Sequence, residues 1–155
     1  MNILYHNRSR NEKAERLYKA TYCSLEDLLK QSDFVCLMTP LTSETEKLIG
    51  EKEFKLMKDT ALFINGSRGK TVDEAALIVA LQNKEIAGAG LDVFEEEPTP
   101  TDNPLLKMDN VVALPHIGSA TLQTRTDMCM FAAENVVAAL KGERPPALIN
   151  ADLWL

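Results

Sequence analysis

Ala61-Leu62-Phe63-Ile64, followed at once by Asn65-Gly66-Ser67-Arg68-Gly69, is the stretch that decides the fold. Four apolar residues without polar alternation suit a strand buried on both faces, and the glycine-rich polar loop ends it. The pattern recurs on either side. Phe34–Met38 is a near-continuous apolar run that stops at Thr39-Pro40-Leu41-Thr42, and Asn2–Tyr5 stops at His6-Asn7-Arg8-Ser9-Arg10. Downstream, Ile86–Val93 is a glycine-rich strand, Val111–Leu114 is another, and Ala20–Tyr22 reads as an edge strand.

Helix-like stretches alternate with these strands. Residues 11–19 suit a short helix, and Ser24, with Asp27 three residues on, suits an N-cap for a helix reaching about Gln31. Two short helices are expected near 44–49 and 51–57. Ala76, Leu77, Ala80 and Leu81 give Asp73–Gln82 helical periodicity, and Thr121–Leu140 is the longest helix, with Gly142 as its stop. Strand–helix alternation means an α/β fold, a parallel sheet with helices on its faces. No internal repeat or low-complexity segment interrupts it, so residues 1–155 read as one partial domain with a C-terminal helix.

Composition limits the function. The 155 residues are 45% hydrophobic and 26% charged, as in a soluble globular protein, and the net charge of -6 argues against nucleic acid or an anionic membrane as the main partner. No apolar run approaches a membrane span, and Met1–Tyr5 lacks a signal layout. Cys23, Cys36 and Cys129 have no C-x-x-C spacing, which suits reduced, buried thiols in a cytoplasmic protein. Two histidines and scattered cysteines give no metal site.

In parallel α/β sheets, ligands sit at the carboxyl ends of the strands. The conspicuous polar residues fall there: His6–Arg10, Thr39–Thr42, Arg68, Glu97 and His116 each follow a strand. Arg68 lies between two glycines, so backbone can approach a planar ligand while the guanidinium grips a carboxylate at two points. A solvated loop arginine accounts for the motif equally well. Glu95-Glu96-Glu97 would ordinarily be a solvated charge run, but a glutamate packed against a histidine favours the protonated ring that a proton donor needs. His116 is one of only two histidines, and Gly118 follows closely; His6 reads as a surface residue.

Taken together, N-G-S-R-G, G-L-D-V-F-E-E-E-P and P-H-I-G-S-A-T resemble, in order and spacing, the D-isomer-specific 2-hydroxy-acid dehydrogenases of the glyoxylate/hydroxypyruvate reductase type. The resemblance runs from Asn2 to about Asn150. It implies a doubly wound, Rossmann-like parallel sheet and reduction of a small 2-oxo acid, such as glyoxylate or hydroxypyruvate, to the D-2-hydroxy acid. It implies that Arg68 binds the substrate carboxylate and carbonyl, that His116 is the acid/base, and that Glu97 supports it. Asp92 would contact the nicotinamide amide. Thr39, Pro40 and Leu41 would pass under the adenosine side, and Gly66, Ser67, Gly118 and Ser119 would complete the cofactor contacts.

NAD-type sites place an acid at the end of the second strand for the ribose 2′-hydroxyl. Here stand Asn7, Arg8, Ser9 and Arg10, which would attract a 2′-phosphate, so NADP is expected over NAD. A basic loop on an acidic protein also fits those residues, and a 2-ketogluconate reductase fits the resemblance.

The sequence departs from the family in one respect: it contains no G-x-G-x-x-G. The resemblance places that motif upstream of Met1, in a central strand between Asn2–Tyr5 and Phe34–Met38, and places a separate substrate domain further upstream. The expectation is therefore an incomplete sheet with two unpaired strand edges, a homo-oligomer, weak NADP affinity and little activity in isolation. A non-catalytic dinucleotide-binding or assembly module, or a remnant, are the alternatives. The retained Arg68, Glu97 and His116 favour the enzyme, since a sensor needs no proton donor.

Overall fold

The computed structural model describes residues 1–154, in two compact units, Met1–His116 and Ile117 onward. In the first unit the strands are β1 (Leu4–Tyr5), β2 (Thr21–Tyr22), β3 (Phe34–Leu37), β4 (Leu62–Asn65), β5 (Gly88–Leu91) and β6 (Val111–Ala113). Its helices are α1 (Glu12–Tyr18), α2 (Leu25–Gln31), α3 (Glu51–Leu56) and α4 (Glu74–Gln82). Every strand pairing is parallel. β3-β4-β5-β6 form one sheet in sequence order, and β1-β2 form another. β1 and β3 each have a strand on one side only, in keeping with the incomplete sheet read from the sequence.

Local chemistry sets the helix starts. Asn11, Ser24 and Asp73 each accept a backbone N–H from the first turn of α1, α2 and α4. The expected helix near 44–49 does not form. Lys47 adopts a left-handed φ of 51°, its N–H donates to the Lys70 carbonyl, and Ile49 forms a parallel bridge with Val72. Pairing with 70–72 thus takes the Lys47 and Ile49 hydrogen bonds that a helix would have used, and the residues before them close local turns.

The four-stranded sheet buries one face. Register aligns Val35, Phe63, Ala89 and Val111 in one row and Leu37, Asn65, Leu91 and Ala113 in the next. Leu29 of α2, Phe54 of α3, and Leu77 and Leu81 of α4 pack into the same core, where Phe54 and Phe63 meet edge to face at 5.3 Å. Neighbouring strands that follow in order, joined by right-handed crossovers, put their connecting helices on the same side. That explains a correction: β3 and β4 are not buried on both faces. Phe34, Leu62 and Val112 on the other face remain 63%, 38% and 65% exposed. Cys36 on this face is exposed too, as is Cys129, and Cys23 is half-buried, so the three thiols are free but not buried.

The second unit is built on α5 (Leu122–Leu140), capped by Thr121, whose side chain accepts the Thr124 N–H. At its other end Gly142 takes a φ of 74°, while Glu143 and Gly142 donate to the Ala138 and Ala139 carbonyls. This reciprocal pair closes the helix where the sequence placed its stop. Among the described residues no helix is long and apolar enough to cross a membrane.

Candidate functional site

The loop after β4 is shaped by buried polar groups. Asn65 is 2% exposed; its Oδ1 accepts the Ser67 N–H at 3.0 Å, and its Nδ2 donates to the Arg68 carbonyl at 3.1 Å. Thr71, fully buried, donates its hydroxyl to that same carbonyl at 2.6 Å. Buried groups satisfied in this way hold one loop shape, because any other would strand them without partners. The Ser67 hydroxyl donates to the Thr39 carbonyl, which ties this loop to the segment after β3. There the Thr45 hydroxyl donates to the Pro40 carbonyl at 2.6 Å, and Leu41 stays exposed. Sequence reasoning singled out Gly66, Ser67 and Arg68 and missed Asn65 and Thr71. A buried amide at the end of an apolar strand was the available signal.

Gly69 joins this loop to the next. A Cβ at Gly69 would fall on the Phe94 carbonyl, so only glycine lets the two backbones pack so closely. Beyond Phe94 the chain turns, and its N–H donates to Glu97 Oε1 at 3.0 Å. Oε2 of the same carboxylate accepts His116 Nδ1–H at 2.7 Å. The His116 hydrogen bond, opposed by desolvation and aided by the Phe94 N–H, holds the Glu97 carboxyl below its ordinary range; the Arg68 charge adds to this. His116 itself follows β6 with a left-handed φ of 54°. Lys19, Lys47 and Lys84 adopt the same left-handed conformation in turns and at a helix end, so the φ of His116 describes the turn that aims its ring and is no functional mark by itself.

Glu97 and His116 line a cleft of about 670 Å³ with Asp92, Phe94, Pro98 and Leu114 among its walls. With Nδ1 donating to a carboxylate, the ring is held in one orientation, and Nε2 is the nitrogen that this bond leaves uncommitted. Asp92 lines the cleft and donates its backbone N–H to the Asn65 carbonyl at 3.0 Å, so it too depends on the β4 loop. Arg68 is exposed, with one guanidinium nitrogen donating to the Ser67 carbonyl at 2.7 Å; it is not among the residues lining the cleft. Gly118 and Ser119 form a turn at the start of the second unit, closed by the Ala120 N–H donating to the Ile117 carbonyl.

In the basic loop after β1, one arginine is already paired within the chain. Arg10 makes a two-pronged ion pair with Glu15, at 2.9 and 2.7 Å, and Tyr5 donates its hydroxyl to that carboxylate at 2.6 Å. Two of the guanidinium's donors are therefore committed within the chain. Arg8 and Ser9 are exposed, and the Arg8 guanidinium enters no ion pair among the described residues. Asn7 accepts the Arg8 N–H on its Oδ1. His6 is exposed as expected, stacked on Tyr22 and donating to the Cys23 carbonyl at 3.0 Å.

A parallel α/β sheet with a histidine–carboxylate pair in a cleft at its strand ends defines a class of protein that takes its ligand there. The chain belongs to the D-isomer specific 2-hydroxyacid dehydrogenase family, whose NAD binding domain matches residues 1–118. It is 55% identical to glyoxylate/hydroxypyruvate reductase B of an Enterobacter species, over 150 residues that make up 97% of this chain and 46% of that protein. Among solved structures, the NADPH-dependent glyoxylate/hydroxypyruvate reductase of Sinorhizobium meliloti, in complex with NADP and malonate, superposes with a TM-score of 0.86 at 35% identity. That match covers 99% of this chain and 47% of that one. D-lactate dehydrogenase of Lactobacillus jensenii with NAD+ superposes at 0.87 and 34% identity, over 96% of this chain and 48% of that one. The chain thus spans about half the length of the curated relatives it matches.

Proposed function

We propose that this chain supplies the cofactor-binding and proton-transfer half of a reductase that converts a small 2-oxo acid, such as glyoxylate or hydroxypyruvate, to its D-2-hydroxy acid with NADP. The observation that carries the reading is the 2.7 Å hydrogen bond between His116 Nδ1 and Glu97 Oε2 at the cleft. Support also comes from the relatives' names and from the exposed Arg8.

The residues present suit the two ends of a nicotinamide dinucleotide. Asp92 and the β4 loop would hold the nicotinamide end. Asn7, Arg8 and Ser9 would hold a 2′-phosphate, with Arg10 in a supporting role because Glu15 occupies it. Thr39, Pro40 and Leu41 would lie along the adenosine side. When bound, the cofactor supplies a hydride to the keto carbon. His116 Nε2–H donates the proton to the carbonyl oxygen. Glu97, ionised well below neutral pH, stabilises the charged ring and fixes its orientation. Arg68 holds the substrate carboxylate and steadies the developing oxyanion. With no G-x-G-x-x-G in the sequence to cradle the pyrophosphate, the chain alone is proposed to bind cofactor weakly and turn over little. The unpaired edges of β1 and β3 favour self-association.

The test is a chimera in which residues 1–150 replace the matching segment of the Enterobacter reductase. The chimera is expected to reduce glyoxylate or hydroxypyruvate with a higher kcat/KM for NADPH than for NADH, and His116→Ala to lower kcat by about 10²–10⁴. An unchanged kcat in His116→Ala overturns the proton-donor role, and a preference for NADH overturns the cofactor assignment.

A further inference from the structure

The wall of the cleft that carries Glu97 is held from behind by one carboxylate. Glu74 is the first residue of α4, half-buried beneath the segment Phe94–Asn103. Its Oε2 accepts the Glu95 N–H at 2.9 Å, and its Oε1 accepts Asn103 Nδ2 at 2.7 Å. The two contacts fall at the two ends of the segment. At the near end, the successive N–H groups of Phe94 and Glu95 are taken by Glu97 and Glu74 respectively. At the far end, Asn103 Oδ1 accepts the Leu105 N–H at 3.0 Å, and Leu105 is buried in the core. Glu74 also lines, with Asn65 and Gly69, a small internal gap of about 10 Å³ beneath these loops.

We infer that Glu74 is a positioning residue: its carboxylate clips both ends of the Phe94–Asn103 segment and so sets the place from which Glu97 meets His116. Glu97 spends one oxygen on the Phe94 N–H and the other on His116, so its reach has no slack. A shift of the Phe94–Glu95 backbone lengthens one bond or the other. The ordinary role for an acid in the first turn of a helix is to complement the helix dipole, and that role needs only its charge. The clip needs both oxygens at the end of a side chain of glutamate length. The consequence for catalysis rests on the proposed acid/base reading of Glu97 and His116; the positioning itself does not.

Two variants separate these roles. Glu74→Asp keeps the charge near the helix start but is too short to reach both donors. Glu74→Gln keeps the length but offers a single acceptor oxygen. The readouts are NMR signals of this chain: amide exchange at Glu95, the His116 Nδ1 proton, and the side-chain carboxyl titration of Glu97. Glu74→Asp is expected to lower Glu95 protection by about tenfold or more, and Glu74→Gln, whose one oxygen can keep the Glu95 N–H, to release the Asn103 arm. They should also broaden or abolish the His116 Nδ1 proton signal and move the Glu97 midpoint up towards the ordinary carboxylate range. Ile86→Val, a core change remote from the cleft, serves as a control for general destabilisation and should leave the last two signals in place. Asn103→Ala removes one arm without touching α4 and decides the matter if Glu74→Asp does not fold. Loss of stability with an unmoved Glu97 midpoint and an intact His116 signal overturns the proposal, as does unchanged Glu95 protection in Glu74→Asp. None of these signals depends on turnover, so an inactive chimera would count against the reductase reading and leave this one standing.

Discussion

The loops at the carboxyl ends of β4 and β5 and the loop after β1 are built on opposite plans. The first two are held by buried or half-buried groups: buried Asn65, Thr71 and Gly69 lock the Arg68 turn, and buried Phe94 with half-buried Glu74 locks the Glu97 turn. His6–Arg10 is exposed throughout; His6, Asn7 and Arg10 have partners within the chain, and all of those contacts lie at the surface. A proton-transfer pair needs atoms fixed to a fraction of an ångström, whereas a phosphate contact made by a long cationic side chain tolerates movement. The difference separates the part of the chain that would do chemistry from the part that would choose between cofactors. It implies that changes after β1 alter selectivity at little cost in stability, and that changes after β4 do the reverse.

The hardest blow to that contrast is Gly69→Ala. Its methyl group would occupy the Phe94 carbonyl, and both atoms belong to backbone that buried neighbours hold in place. A loss of about 3 kcal/mol or more is expected, seen as a fall of several degrees in Tm, together with loss of the His116 Nδ1 proton signal. Ser9→Ala, on the exposed loop, should leave Tm within about a degree, as surface changes generally do. Similar Tm losses for the two would dissolve the distinction between the regions.

A smaller effect sharpens the contrast within the basic loop. Under the proposed preference for NADP, Arg8→Ala in the chimera should lower the NADPH/NADH ratio of kcat/KM by roughly tenfold or more, the worth of a charge-assisted hydrogen bond. Arg10→Ala should lower it less, because Glu15 already holds that guanidinium. The opposite ranking would mean that the ion pair with Glu15 gives way to phosphate.

Most of the strand and helix pattern was legible because it is written in local chemistry. Asn11, Ser24, Asp73 and Thr121 cap the helices that begin after them, and Gly142 ends the last. What escaped was decided by distant partners. Residues 44–49 have helical composition, but the backbone of 70–72, more than twenty positions away, takes the Lys47 and Ile49 hydrogen bonds, and the rest form local turns. Phe34 and Leu62 read as buried because apolar runs carry no record of which face their neighbours cover. At the site, the glutamate of the three successive ones that hydrogen-bonds His116 is Glu97, the one singled out in the motif reading. Asn65, Thr71 and Glu74 act through side-chain contacts to backbone up to 21 residues away, and no spacing rule announces those. The pairing of Arg10 with Glu15 escaped the sequence reading because Glu15 sits five residues on in a region read only as helix.

The smallest effect tests whether that pairing persists in solution. Hydrogen bonds from Arg10 first, and from the Tyr5 hydroxyl second, lower the Glu15 carboxyl from 4.5 to about 2. A folded-state value below the unfolded one stabilises the ionised form. The contribution is therefore complete above the ordinary carboxylate range and is lost as pH falls from about 4.5 through about 2. Both side chains are on the surface, so salt should weaken the effect. A carboxyl NMR titration is expected to give Glu15 a depressed midpoint in the parent chain and one moved up towards the ordinary carboxylate range in Arg10→Ala, where the Tyr5 hydroxyl still bonds the carboxylate. An ordinary midpoint in the parent would mean that the ion pair is open in water. Arg10 would then be as available to a 2′-phosphate as Arg8, and the basic loop would have to be treated as a two-arginine site after all.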